Sequence, residues 1–267
     1  MKPKVLLIIA AVFVAIVSFY FVFEKVYLPK KEKGREKENK VFTLEREDLD
    51  LIKINTKTTQ IILVKQDERW LMSAPIESET DAGEVESFIA SALDAEIGRK
   101  LGTKAELADS LSDYGLDEPA LTVVLGSGDE TETLSLGNAV AAGDEVYAMR
   151  TGDDQVFLVD GYLTDEIAKD ATTLRDKTLM AFSPDDIVSL TVSRGAKPVT
   201  VKRQGEESWL ITEPFEFAAD PEEITDILQF IADEGAVGFA PEDGKPADYG
   251  LAPAAITLTL VDKDGAI

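Results

Sequence analysis

The sequence predicts an α+β protein. Two tandem copies of a mainly antiparallel sheet module with packed helices are expected, preceded by one transmembrane helix. Three observations carry this. Residues 5–23 form a run of 19 residues without a charge. Short alternating apolar runs broken by Gly/Asp turns fill most of the rest, with helical periodicity after Asp81 and Asp220. And Asp113-Tyr114-Gly115-Leu116-Asp117-Glu118-Pro119 recurs, one residue shorter, as Asp248-Tyr249-Gly250-Leu251-Ala252-Pro253.

Taken in order, the apolar run comes first. At 1.5 Å per residue, 19 helical residues cover roughly 28 Å, close to a hydrocarbon core of ~30 Å. The run ends in Phe19-Tyr20-Phe21-Val22-Phe23, with large residues where a signal-peptide cleavage site needs small ones. Residues 1–27 are therefore read as a cytoplasmic tail and an uncleaved anchor, with Tyr20 and Tyr27 near the interface. Residues 28–44 are a charged linker: Pro29, Gly34 and interleaved Lys and Glu bury too little to fold alone. Lys2 and Lys4 precede the span and seven Lys/Arg of residues 25–40 follow it. Counting Lys/Arg alone would put the C-terminal side in the cytoplasm, but a short N-terminal tail is easily kept inside and long domains translocate largely regardless of charge, so the rest of the chain is expected outside the cytoplasm.

The first module is placed at 45–181. Ile52 and Ile54, residues 61–64 and residues 70–72 give three strands of a meander, closed by Pro75. Asp81 occupies an N-cap position with Glu84 three residues on, as in a capping box, and residues 82–95 follow as a helix. Leu107 and Leu111 mark a short second helix ending at Tyr114. Gly115 is expected as the left-handed C′ residue, Leu116 as its apolar C″ contact and Pro119 as the barrier to resumption. Four strands follow near 121–125, 132–136, 145–150 and 156–159, then a helical connector over 162–177.

The second module is placed at 182–267 and repeats the plan. Trp70 matches Trp209 and Pro75 matches Pro214 at a shift of 139, and Tyr114 matches Tyr249 at 135. Its strands fall near 187–193, 199–203, 209–212 and 256–261, with a helix opened by Asp220-Pro221. Its counterpart of the first module's last 50 or so residues is absent, so the copy reads as incomplete at its C-terminus.

Composition narrows the chemistry. The chain has no cysteine and no histidine, which excludes thiolate sites, Ser-His-Asp triads and histidine ligands. Net charge is −24, which opposes nucleic-acid binding. Asp185-Asp186, Asp153-Asp154 and Asp262-x-Asp264-Gly265 are the densest carboxylate groups, and turn chemistry accounts for them. No phosphate loop, dinucleotide fingerprint or nucleophile elbow is present. No catalytic, cofactor or metal residue is assigned. The marked residues are structural: Trp70, Pro75, Tyr114, Gly115, Leu116, Pro119, Trp209, Pro214, Tyr249, Gly250, Leu251 and Pro253. Both tryptophans read as core rather than as sugar platforms.

The anchor, the strand-Trp-Leu-x-x-x-Pro run, the Asp-capped helix, the Tyr-Gly-Leu corner and Leu134-Ser135-Leu136-Gly137 together resemble the domain of unknown function 4340 family. The resemblance covers roughly residues 45–267. It implies a bacterial membrane-anchored protein, in some cases beside gliding-motility-type ABC transporter components, and it brings no catalytic residue. The expected function is a membrane-anchored, extracytoplasmic interaction or accessory module with an envelope or transporter protein as partner. The alternatives are a carboxylate-dependent hydrolase of envelope glycans and an acidic cation-binding scaffold.

Overall fold

The computed structural model describes residues 39–152, 154–205 and 207–266. The tail, the anchor and most of the linker expected over residues 1–44 lie outside the described residues. No helix among the described residues is long and apolar enough to cross a membrane. The fold is α+β and mainly antiparallel, in two compact units that divide between Asp176 and Lys177.

The first unit carries a nine-stranded sheet. Its strands are β1 (Leu51–Thr56), β2 (Gln60–Gln66), β3 (Arg69–Ala74), β4 (Ser78–Glu79), β5 (Lys100–Thr103), β6 (Leu121–Ser127), β7 (Glu130–Ala139), β8 (Glu145–Thr151) and β9 (Gln155–Asp160). They lie in the order β4-β3-β2-β1-β6-β7-β8-β9-β5. Alternation sets the core face. Ile54 stands opposite Ile61 on one side and Val123 on the other, and all three are buried. Helix α1 (Ala82–Asp94) lays Val85, Phe88, Ile89 and Ala92 into this core, at the spacing one helical face requires. The short helices α2 (Gly161–Ile167) and α3 (Ala171–Leu174) add Leu163, Ile167 and Leu174.

The second unit carries β10 (Ile187–Arg194), β11 (Lys197–Gln204), β12 (Ser208–Glu213), β13 (Phe217–Ala219), β14 (Ile256–Asp262) and β15 (Gly265–Ala266), with helix α4 (Pro221–Asp233). Its sheet order is β13-β12-β11-β10-β14-β15. Strand for strand this is the order β4-β3-β2-β1-β6-β7 of the first unit. The core is small: Leu190, Val201, Trp209, Ile224, Leu228 and Leu260 close around Ile187.

Both long helices begin in the same way. The Asp81 carboxylate accepts from the Gly83 and Glu84 amides at 2.9 and 3.1 Å, and that of Asp220 accepts from Glu222 at 3.0 Å. Each aspartate satisfies amides that the first turn leaves without partners. Asp81→Ala and Asp220→Ala are each expected to cost about 1 kcal/mol, read by urea denaturation. The reciprocal half of a capping box is not made. Glu84 pairs with Lys169 at 3.1 Å, and the Asp81 amide donates to the Leu174 carbonyl at 3.0 Å.

Three local expectations are corrected. The helix expected before Tyr114 is a single 3-10 turn, Ala108–Ser110, followed by turns. Leu107 and Leu111 do point into one apolar cluster, with Leu101, Met149 and Val156, so their spacing reports burial rather than a full helix. The connector over 162–177 is two helices. Ala168 leaves helical geometry at ψ 44, and Asp170 caps a new start by accepting from the Thr173 amide at 2.7 Å. Strands β4, β5, β13 and β15 are additional; each has four residues or fewer, too short for alternation to declare it.

Candidate interaction surfaces

The repeated Tyr-Gly-Leu stretch is a Schellman corner in both units. Gly115 takes φ 68° and Gly250 φ 73°, a region closed to most side chains. The Leu116 amide donates to the Leu111 carbonyl at 2.9 Å, and Leu251 donates to Pro246 at 2.8 Å. The Gly115 and Gly250 amides close the inner bonds, to Ser112 at 3.0 Å and Ala247 at 3.2 Å.

In the first unit this corner is received by β7. The Asn138 amide donates to the Tyr114 carbonyl at 2.8 Å, and the Asn138 side-chain amide donates to the Asp113 carbonyl at 3.0 Å. A Cβ on Gly137 would stand 2.1 Å from the Tyr114 oxygen. The Leu-x-Leu-Gly run therefore ends in glycine because the corner's backbone lies against it. Tyr114 stacks on Tyr147 of β8 at 4.3 Å between ring centroids. In the second unit Tyr249 and Leu251 are exposed.

Each tryptophan sits beside a cleft between its long helix and its sheet. Trp70 is half-buried at the first, about 420 Å³, with Arg46, Lys65, Arg69, Glu79 and Glu86 on its walls. These charges are mutually paired: Arg46 with Glu86, Lys65 with Glu68 at 3.0 Å and Arg69 with Glu79 at 3.7 Å. Trp209 is buried at the second cleft, of about 450 Å³. The Arg203 guanidinium lies 4.6 Å from its ring centroid and donates to the carbonyls of Ile187 and Pro184 at 2.9 and 3.1 Å. Arg203 faces Trp209 across the ladder as Lys65 faces Trp70, so a cation stands at the same register position in both sheets. Sequence reading missed this pairing; the basic residue five or six positions before each Trp-Leu pair was its signal.

The remaining marked residues are structural. Pro75 and Pro214 each follow a cis peptide bond directly after β3 and β12, and Pro253 follows a third. Pro119 lies between the first corner and β6. Asp186 accepts from Lys263 at 2.7 Å and holds its ammonium pKa above the ordinary lysine value, which ties the Pro184–Asp186 turn to the β14–β15 turn. No group of three or more acidic residues suited to a metal ion occurs among the described residues.

The model of the family described as Domain of unknown function (DUF4340) matches residues 70–253. The chain belongs to that family. No curated protein and no solved structure matches it. The DUF4340 match begins at Trp70 and ends at Pro253, so both tryptophans and both corners fall inside it.

Within this DUF4340 chain the two sheets differ most in what covers them. Ile54, Ile61 and Leu121 are 1, 3 and 4% exposed. Val192, Val199 and Ile256, at the same register positions of the second sheet, are 38, 44 and 52% exposed. Phe88 is fully buried, while Ile227, equally far from its capping aspartate, is 42% exposed. Phe215, Phe217 and Phe230 also stand open. All seven residues of β6 pair with β7, and β14 pairs with β15 at Val261 and Asp262, where the described residues end.

Proposed function

We propose that the chain is a membrane-tethered, extracytoplasmic interaction module, an accessory of an envelope assembly such as an ABC-type transport or gliding system. The observation that carries the reading is the apolar face of the second sheet. Val192, Val199, Phe217 and Ile256 of its strands, with Ile227 and Phe230 of α4, stand in contact with solvent on a chain of net charge −24, and grouped apolar exposure of this kind marks a contact surface. The charge-free run over residues 5–23 supports the tether.

A photo-crosslinking amino acid at Val199, in native membranes, tests it. One reproducible protein adduct is expected, lost when Val192→Asp is introduced beside it. Failure to form any adduct contradicts the reading. Protease added outside intact spheroplasts is expected to digest the units; protection of both would overturn the orientation.

A further inference from the structure

We propose that the Trp70 cleft of the first unit is a seat for one arginine side chain of a basic partner polypeptide, its guanidinium lying on the indole. The seat adds a second contact to the interaction reading and is built from the first unit alone.

The second unit shows the arrangement complete. There the Arg203 guanidinium lies 4.6 Å from the Trp209 ring centroid, and Trp209 is 4% exposed. Asp185, Glu207, Glu222 and Asp226 line the same cleft, so the stacked cation is set among carboxylates. The first cleft has the same parts at the positions that the repeat aligns: Glu47 for Asp185, Lys65 for Arg203, Glu68 for Glu207 and Trp70 for Trp209. One part is moved. Lys65 turns to Glu68, its ammonium 3.0 Å from the carboxylate. Trp70 stays half-buried, packed on the first core and bordering a cleft of about 420 Å³.

Ring and walls choose the guest. The indole quadrupole attracts a cation, and a planar, weakly hydrated guanidinium stacks on it better than an ammonium does. Among the lining residues, Glu47, Glu68, Glu79 and Glu86 outnumber Arg46, Lys65 and Arg69. Each of those three cations already has a carboxylate partner, so an anionic guest would have to break a pair. A neutral sugar ring could stack on the indole but would gain nothing from the net charge of the walls. At longer range, a chain of net charge −24 draws a basic segment toward it and repels an acidic one.

The test follows the indole N–H resonances of Trp70 and Trp209 in the isotope-labelled 267-residue chain while the peptide Gly-Gly-Arg-Gly-Gly is added. Salt at about 0.15 M screens loose association with the acidic surface. The Trp70 resonance is expected to shift saturably, with a Kd of about 1 mM or tighter, and that of Trp209 to stay in place. Lysine in place of the peptide's arginine is expected to weaken binding about fivefold or more, and citrulline, which keeps the shape without the charge, about tenfold or more. Lys65→Arg gives the first cleft the cation that the second already holds over its own ring. It is expected to weaken the peptide about tenfold while the α1 amide resonances stay in place, which shows that the unit still folds. The proposal is overturned if the Trp70 resonance does not move, if the lysine or citrulline peptide binds as tightly as the arginine peptide, or if Lys65→Arg leaves the affinity unchanged. It is equally overturned if cellotriose shifts that resonance at lower concentration than the arginine peptide does. A null titration with the Val199 crosslink intact removes the arginine seat and leaves the interaction reading standing. Loss of the crosslink beside a saturable titration removes the sheet contact and leaves the seat.

Discussion

Gly137→Val is expected to destabilise the first unit by about 3 kcal/mol or more, because it places a side chain where the Tyr114 carbonyl already lies. The Cβ alone would approach that oxygen to 2.1 Å, and the oxygen is fixed by the Asn138 amide. Relief requires the corner to move away from β7. That would also separate Tyr114 from Tyr147 and open the cluster of Leu111, Leu116, Met149 and Val156. Urea denaturation reads the loss, and near-ultraviolet circular dichroism reads the tyrosine pair. A variant within about 0.5 kcal/mol of the parent would show that the corner and β7 are not in contact.

Phe88→Ala and Ile227→Ala occupy equivalent helix positions and are expected to behave differently. Phe88 is fully enclosed by the first core, so its truncation leaves a cavity and costs about 3–5 kcal/mol. Ile227 already meets solvent, so Ile227→Ala is expected to cost about 1 kcal/mol or less. Equal losses at the two positions would mean that the second unit's helix is covered in solution.

Much of this was legible in the residues. The Gly115 and Gly250 turns follow from a helix-stop composition, and their backbone angles and bonds are those of the motif. Asp81 and Asp220 announce their helices because a short acceptor before an apolar period has few other uses. Strands β6 to β9 were visible through alternation at Val123, Leu134, Val146 and Phe157. The rest depends on partners distant in sequence. Gly137 is glycine on account of a carbonyl 23 positions earlier, which no local pattern encodes. Glu84 abandons its own helix start for Lys169, 85 residues away. Leu101 shows no strand period because β5 is four residues long and is held by β9. Val192 and Ile54 look alike in sequence, and their different burial is seen only in the structure.

Single-cysteine labelling tests this contrast most directly, since the chain has no cysteine of its own. In the native protein, maleimide is expected to react readily with Val192→Cys and Ile256→Cys, and to leave Ile54→Cys and Leu121→Cys unmodified until denaturant is added. Protection of all four positions to the same degree would contradict an uncovered second sheet and the interaction reading drawn from it.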